Sequence, residues 1–441
     1  MIRPFLAVAA LLIAAPAAAR EAPSPEKLRA SVEKLVGFGT RHSLSSATDP
    51  KRGIGAARNW VAAEFAALSK QCGGCISVER LSRRFTGPRA PDGVMIEDVL
   101  GIQKGSDPNR FVIVGGHIDS RVSNVMDITS DAPGANDDAS GVSLVLEAAR
   151  ILSKEKFAAT IVYVAFSGEE QGLWGATLLA ETAKARGWQV DAMLNNDIVG
   201  NSIGQGGVKA GDHIRVFSEG IRASESLSEQ IERRAIGGED DGPSRALAKA
   251  IHGVAASLPG DFAAFVDRRP DRFGRGGDHE PFLREGYPAV RFTVAAENWD
   301  RQHQDLRTEK GIKYGDTMDG VDFAYLAQVA RLNVLGLATM ANAPAPPAGV
   351  DIEGAVSADT TIHWQPAAGA AGYRVWWRDT TAPQWQHSLW IGDAAKATLR
   401  NIVVDDAFFG VSAVSKDGYA SPVVFAGTAG SFARDADKPH Q

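Results

Sequence analysis

A histidine and an aspartate, His117 and Asp119, come two residues apart just after two glycines that follow the apolar run 111–114. The β-branched and aromatic residues of that run predict a strand buried on both faces, as in a parallel sheet. The two glycines predict a tight turn at the end of the strand. Ligands bind at the carboxyl ends of strands in open α/β sheets, so the pair indicates a metal site. A histidine in this position can also serve only as a hydrogen-bonding group.

Two adjacent aspartates, Asp137 and Asp138, lie in the polar segment 133–141, where a loop meets the apolar residues of a predicted helix. One carboxylate at a helix N-terminus is explained by capping, because it faces the positive end of the helix dipole. Capping does not explain a second acid beside the first. The segment therefore contains a further candidate ligand.

Two more predicted strands end in acids. Glu169 and Glu170 follow the apolar run 160–166, and Asp197 lies in an apolar frame after the next strand. Adjacent glutamates suit a site in which one binds a metal ion and its neighbour faces the water. A buried carboxylate such as Asp197 must be paired or metal-bound. Three successive strands therefore predict a βαβ repeat with acidic side chains at one edge of the sheet.

A second imidazole, His303, lies in a polar loop after another predicted strand. The candidate metal ligands are then two imidazoles and three carboxylates, namely His117, Asp137, Glu170, Asp197 and His303. Nitrogen and oxygen donors of this kind suit zinc first, with cobalt or manganese as substitutes. Two metal ions need a bridging carboxylate. Five ligands with one bridge give each ion three protein donors and leave a position for a shared water.

The elements that must position these residues alternate between strands and helices, which predicts the α/β class. Helices are predicted at 24–36, 55–68, 142–152, 176–185, 244–258 and 322–340. Strands are predicted at 77–81, 94–102, 111–114, 160–166, 192–199, 264–266 and 286–293.

Four motifs in this order resemble the two-zinc exopeptidases, which include bacterial leucyl aminopeptidases, glutamate carboxypeptidase and glutaminyl cyclases. The motifs are Gly116-His117-Ile118-Asp119-Ser120, the segment 133–141, Ser167-Gly168-Glu169-Glu170 and Asn196-Asp197, with His303 following them. The resemblance covers about residues 25–340. It implies a three-layer α/β/α sandwich around a mixed, mainly parallel sheet, as a peptidase domain at 20–340.

The resemblance also implies how the ligands are shared. His117 and Asp197 would hold one zinc ion, and Glu170 and His303 would hold the other. Asp137 would bridge the two ions, which makes two zinc ions per chain.

The resemblance assigns roles to residues around the metals as well. Glu169 matches the general base, which takes a proton from the metal-bridging water and passes it to the leaving amine. Asp119 matches the acid that orients the first histidine ligand. Asp278 and His279 resemble a Ser-Asp-His segment near the family's substrate pocket, and this chain has Gly277 in place of the serine.

The function implied is a secreted zinc aminopeptidase that hydrolyses N-terminal residues from peptides. A glutaminyl cyclase, an acyltransferase that typically uses one zinc ion, is an alternative on the same scaffold, and so is carboxypeptidase or dipeptidase specificity. A non-catalytic binding protein is a further alternative, although all candidate ligands and the candidate base are intact. The sequence leaves the preferred N-terminal residue and the oligomeric state open.

The composition changes at 341–348, a Pro/Ala-rich linker. Beyond it, short alternating segments separated by turns predict a small antiparallel β-sandwich over 349–430. This region resembles a fibronectin type III domain, and it carries no cluster of metal ligands or nucleophiles. A polar tail, 431–441, completes the chain.

The formal net charge of −6 over 441 residues gives no indication of a nucleic-acid partner. Arg3 and the apolar run 5–15, followed by small residues, predict a cleaved signal peptide over 1–19. The mature protein is therefore expected in the periplasm or the extracellular space. No later stretch is expected to be long enough to span a membrane. Because that compartment is oxidising, Cys72 and Cys75 are predicted to form a tight local disulfide.

Overall fold

The computed structural model describes residues 20–432. The predicted signal peptide at 1–19 lies outside the described residues, as does 433–441 of the predicted polar tail. Within the described range, an eight-stranded mixed sheet with helices on both faces is followed by antiparallel sheets of three and four strands. The α/β sandwich and the β-rich C-terminal region predicted from the sequence are thus confirmed.

The strands of the large sheet and of one short hairpin come from the first three quarters of the chain. Their bounds are β1 Ile76–Gly87, β2 Ala90–Gln103, β3 Asp107–His117, β4 Ala159–Phe166, β5 Gln189–Asn196, β6 His213–Phe217, β7 Ala263–Asp267, β8 Ala289–Val294, β9 Arg307–Glu309 and β10 Ile312–Tyr314. The helices are α1 Pro25–Val36, α2 Ile54–Gln71, α3 Ala139–Leu152, α4 Glu169–Gly172, α5 Trp174–Ala185, α6 Leu227–Ala235, α7 Pro243–Ala255, α8 Glu280–Arg284 and α9 Phe323–Asn342. The spatial order of the large sheet is β1-β2-β4-β3-β5-β8-β6-β7.

The strands that end in candidate ligands are neighbours at the centre of the sheet. β3 pairs in parallel with β4 on one side and with β5 on the other. All eight residues of β4 are buried, as expected for a strand covered on both faces. The predicted βαβ repeat is confirmed. The antiparallel pairs, β1 with β2, β2 with β4 and β6 with β8, lie outside this centre.

Two hydrophobic cores lie on opposite faces of the sheet. Apolar side chains of α1, α2, α3, α7 and α9 fill the larger core. Those of α5 and α8 fill the smaller one. The loop between α2 and β1 contains the predicted disulfide between Cys72 and Cys75.

Helix α9 is long and apolar enough to cross a membrane, the one such helix among the described residues. The expectation that no later stretch has that length was therefore wrong. The most apolar part of α9 is two-thirds buried, and it packs in the larger core. Its hydropathy is explained by burial between layers of the protein.

The segment 201–260 contains two elements that the sequence analysis did not predict, β6 and α6. Helix α6 exposes Leu227, with 74% of its surface accessible, and buries Arg233, which reverses the usual amphipathic pattern. Ser226 and Glu229 form a capping box at its start. That pair is the local signal that could have located the helix.

The C-terminal strands form two antiparallel sheets around a shared core. Their bounds are β11 Ala348–Glu353, β12 Thr360–Gln365, β13 Gly372–Asp379, β14 His387–Gly392, β15 Lys396–Leu399, β16 Ala407–Val414 and β17 Val424–Phe425. The spatial orders are β11-β12-β15 and β14-β13-β16-β17. The antiparallel arrangement agrees with the prediction, and the likeness to fibronectin type III stays a prediction.

Buried charges join the C-terminal sheets to the helical layer. Arg378 of β13 is paired with Asp241, and Asp241 also lies 2.6 Å from Lys249 Nζ of α7. The guanidinium of Arg233 donates to the backbone oxygen of Ala429 over 3.0 Å. A cavity of about 920 Å³ lies at this junction and is lined by both parts of the chain. The C-terminal sheets are therefore packed against the α/β sandwich through specific contacts.

Candidate metal centre

Three neighbouring strands deliver candidate ligands to one edge of the sheet. His117 is the last residue of β3, and Asp197 follows β5. Glu169 and Glu170 start α4, which is separated from the end of β4 by two residues. Since the strands are parallel, their carboxyl ends meet at the same edge, where ligands bind in α/β sheets.

The glycines before His117 have a different role from the predicted one. Both lie inside β3 and form no turn. A Cβ atom on Gly116 would lie 2.7 Å from the backbone carbon of Gly141 and 2.8 Å from an oxygen of Asp138. Glycine is therefore required because the N-terminus of α3 packs directly against the strand.

The five predicted ligands form two groups that share Asp137. Nε2 of His117 lies 3.1 Å from Asp137 Oδ1 and 3.8 Å from Asp197 Oδ1. Nε2 of His303 lies 2.9 Å from Asp137 Oδ2 and 3.0 Å from Glu170 Oε1. Each oxygen of Asp137 thus faces a different histidine.

The residues fit a metal centre. In each group of three, the potential donor atoms lie within 4.8 Å of one another. Nε2 of His117 and Oε1 of Glu170 are buried and lie 3.1 and 3.0 Å from a charged neighbour, yet neither atom makes a hydrogen bond of standard geometry among the described residues. Buried polar atoms are normally satisfied, so these atoms point to a missing partner. Two imidazoles with three carboxylates are donors that suit zinc.

The cluster is electrostatically unbalanced when it contains no cation. Burial alone lowers the pKa of His117, but the three carboxylates around its ring outweigh that effect and raise the pKa well above its ordinary value. A divalent cation stabilises the same carboxylates and competes with the proton for the imidazole nitrogen. The charge distribution therefore favours cation binding.

Asp137 is held in place by its neighbours. Asp138 accepts a hydrogen bond from the N–H of Gly141 and so caps α3, and it also accepts one from the N–H of His117. The capping explanation is correct for Asp138 and leaves Asp137 free for another role. Asp316, which the sequence analysis did not single out, accepts hydrogen bonds from the N–H groups of Asn136 and Asp137 over 2.8 and 2.7 Å.

Asp119 positions α4 more directly than it positions His117. Its carboxylate accepts hydrogen bonds from the N–H groups of Gly168, Glu169 and Glu170. Nδ1 of His117 lies 3.1 Å from the backbone oxygen of Asp119 and 3.7 Å from its carboxylate. The backbone oxygen therefore orients the imidazole, and the side chain fixes the start of the helix that carries the two glutamates.

Glu169, the predicted general base, lies on the wall of a cavity of about 720 Å³. Burial raises its pKa above the ordinary value, His117 opposes that change, and the neighbouring carboxylates add to it. The same cavity is lined by four of the predicted ligands and by four arginines, namely Asp137, Glu170, Asp197, His303, Arg89, Arg121, Arg272 and Arg275. The candidate base and ligands therefore open onto one space that can admit a substrate.

The arginines were not predicted as site residues. Arg121 lies between two candidate ligands, with Nε 2.7 Å from Glu170 Oε2 and Nη2 2.5 Å from Nδ1 of His303. It directly follows the first motif in the sequence, which is the signal that could have identified it. Arg89 comes from the turn between β1 and β2 and donates to the backbone oxygen of Glu170.

Asp278 and His279, the tentative pocket residues, are fully buried. Nε2 of His279 lies 2.8 Å from the backbone oxygen of Pro270. Gly276 and Glu280, on either side of the pair, line the cavity. Asp278 and His279 themselves are not among the residues that line the cavity, although residues close to them in the sequence are.

The support of Asp137 by Asp316 can be tested with an Asp316→Ala variant. Because the backbone N–H groups of Asn136 and Asp137 lose their acceptor, we expect the zinc affinity to fall about 10- to 100-fold, measured by chelator competition. The matched control is Asp319→Ala, at a half-exposed acid that pairs with Arg301. Equal zinc affinities of the two variants would contradict the assigned role of Asp316.

Comparison with protein families places the chain among known peptidases. The family described as Peptidase family M28 matches residues 98–319. A probable zinc metalloprotease of Pyrenophora tritici-repentis is 43% identical over 409 residues, covering 91% of this chain and 84% of the relative. One of Pyricularia oryzae is 43% identical over 414 residues, covering 90% and 81%.

Solved structures of the same fold include aminopeptidases. The LapA aminopeptidase of Legionella pneumophila matches with a TM-score of 0.52 and 16% identity, over 73% of this chain and 72% of that one. An aminopeptidase from Aneurinibacillus sp. strain AM-1 matches with a TM-score of 0.51 and 15% identity, over 73% and 94%. At these identities the likeness establishes the fold. Together with the family match and the two relatives, it leads to the conclusion that the chain is a zinc metallopeptidase and belongs to peptidase family M28.

Proposed function

We propose that the protein is an exported aminopeptidase that uses two zinc ions to remove N-terminal residues from peptides. The observation that carries the proposal is the position of Asp137, whose two oxygens face two separate histidine–carboxylate groups. These groups border a cavity onto which Glu169 also opens. The named activity of the Legionella and Aneurinibacillus proteins, aminopeptidases of the same fold, supports this choice.

Each ion would take three protein donors. His117 and Asp197 would hold one zinc ion, Glu170 and His303 would hold the other, and Asp137 would contact both. When bound, zinc polarises the scissile carbonyl and acidifies a water molecule.

The chain itself supplies the proton transfers. Glu169 is fixed at the start of α4, because its backbone N–H is held by Asp119, and its carboxylate lies on the cavity wall. From there it takes the proton of the attacking water and later delivers it to the leaving amine. The neighbouring Glu170 is buried and turned towards His303, so the two adjacent glutamates have separate roles.

Carboxypeptidase or dipeptidase specificity is the second candidate, favoured by the arginines of the cavity. Nε and Nη2 of Arg89 and of Arg275 have no partner among the described residues. A guanidinium with free N–H groups binds a carboxylate in bidentate geometry. These residues could therefore recognise the C-terminal carboxylate of a short peptide.

Export is part of the proposal. Arg20, the first residue after the predicted cleavage site, is well buried and makes two hydrogen bonds of 2.8 Å with Glu155. A disulfide between Cys72 and Cys75 also suits an oxidising compartment. N-terminal sequencing of the protein from its native source should give Arg20 as the first residue. A mature protein that still contained residues 1–19 would contradict export by cleavage.

The role of Glu169 predicts the behaviour of Glu169→Gln. We expect kcat to fall at least about 100-fold, because the amide cannot take up the proton, while zinc content stays at the wild-type value. The matched control is Glu181→Gln, at a surface glutamate that pairs with Arg83, and it should retain full activity. Near-wild-type hydrolysis by Glu169→Gln would refute the assignment of the base.

A substrate panel tests the specificity, and a metal analysis of the same preparation tests the number of zinc ions. We expect the wild-type enzyme to contain about two zinc ions per chain, to hydrolyse aminoacyl anilides and to lose activity on chelation. N-blocked peptides should be resistant. Cleavage of N-blocked peptides with a free C-terminus would favour carboxypeptidase specificity. One zinc ion with cyclisation of N-terminal glutamine would indicate a cyclase, and tight zinc without turnover would indicate a binding protein.

A further inference from the structure

A buried arginine holds one of the proposed zinc ligands. Arg291 is the charged residue of β8, a strand in which all six residues are buried. Its Nη2 lies 2.8 Å from Asp197 Oδ2, and its Nη1 lies 3.0 Å from Asp271 Oδ2. Nη1 also donates to the backbone oxygen of Gly276. Burial of a guanidinium is costly unless it is paired, and the two ion pairs offset that cost, while Nε and Nη2 make no hydrogen bond of standard geometry among the described residues.

The space for this guanidinium is provided by Gly277. A Cβ atom at that position would lie 2.7 Å from Nη1 of Arg291 and 3.4 Å from its Cζ. The backbone of Gly277 does not have a positive φ angle, so glycine is needed for space and not for conformation. The segment Gly277-Asp278-His279 resembles a Ser-Asp-His segment in which the first residue is serine. The glycine at this position therefore leaves the space that the guanidinium of Arg291 occupies.

The arginine determines which atom of Asp197 is available for a metal ion. Oδ2 is occupied by Arg291, whereas Oδ1 faces Nε2 of His117 at 3.8 Å. Asp197 can then offer one oxygen, Oδ1, to a metal ion. The same guanidinium reaches Asp271 and Gly276, which flank the cavity-lining residues Arg272 and Arg275.

We propose that Arg291 is a positioning residue for the metal ligand Asp197 and that Gly277 is its obligatory small partner. This inference rests on the proposed function for the assignment of Asp197 as a zinc ligand. Arg291 restricts Asp197 to one-oxygen ligation and connects that ligand to the loop that forms the arginine-rich wall of the cavity.

Zinc binding to the full chain without substrate provides the test. In Arg291→Leu, Asp197 loses the contact that fixes Oδ2, so we expect the dissociation constant of one of the two zinc ions to rise about 10- to 100-fold. Arg291→Lys retains the charge but cannot reach both aspartates, and its effect should be smaller. In the Co²⁺-substituted Arg291→Leu protein, the visible absorption spectrum should differ from that of the wild type, because Oδ2 of Asp197 is no longer held by the guanidinium.

The control is Arg110→Leu. Arg110 is also a buried arginine paired with an aspartate, Asp191, on the same sheet, but the pair lies at the opposite ends of β3 and β5. The Arg110→Leu substitution should lower the melting temperature and leave the zinc affinity and the Co²⁺ spectrum unchanged. If Arg291 has a purely structural role, Arg291→Leu should also lower the melting temperature without changing the zinc affinity or the Co²⁺ spectrum. That result would overturn the inference.

The pairing with Gly277 gives a second, independent readout. Gly277→Ser should weaken zinc binding because its side chain displaces the guanidinium of Arg291. In the double variant with Arg291→Leu, the guanidinium that the serine side chain would displace is absent, so the loss should be smaller than the product of the two single losses. A double variant whose loss of zinc affinity equals the product of the two single losses would contradict the pairing. If Arg291→Leu does not fold, Gly277→Ser and Arg291→Lys still provide the test.

Failure of this inference is distinguishable from failure of the proposed function. If the wild-type protein binds zinc but hydrolyses no peptide, the proposed function fails and the zinc measurements still test Arg291. If the wild type hydrolyses peptides and Arg291→Leu retains wild-type zinc affinity, only the role of Arg291 is refuted.

Discussion

One buried carboxylate, that of Asp137, faces two histidines, and much of the fold serves to hold it in that position. The side chain can do so because its backbone is tied to Asp316 and because Asp138, its neighbour, takes over the capping of α3. Carboxylates this close together in a buried site repel one another. The energetic requirement for a cation at this edge of the sheet therefore follows from the arrangement of the chain itself.

Around the centre, the supporting charges are fixed by buried hydrogen bonds. Arg41 is fully buried and donates to the backbone oxygens of Ile118, Pro133 and Gly134, and so it connects the His117 loop to the Asp137 loop. Asp119 fixes the start of α4. Because such groups are costly to leave unpaired, the site has a geometry that is determined before any metal ion or substrate arrives.

The C-terminal sheets make buried contacts with the rest of the chain, which a simple spacer would not require. Four of the eight residues of the segment predicted as a linker are buried and one is exposed, and the backbone oxygen of Ala343 accepts a hydrogen bond from Arg110. Arg378, which lines the cavity of about 920 Å³, is paired with Asp241. Movement of these sheets would break buried ion pairs, so the two parts are expected to behave as one unit around the cavity between them.

The sequence by itself determined the layered α/β class, the βαβ repeat of the central strands and the candidate ligands, since continuous apolar runs followed by His117, Glu170 and Asp197 encode buried strands with polar ends. It did not identify Asp316 or Arg291 as site residues. Asp316 lies 179 residues from the N–H group of Asp137 that it holds, and no local pattern marks such a contact. Periodicity in a sequence reports which residues are buried. Which buried charges meet is decided only when distant segments pack together, because each needs a specific partner in space.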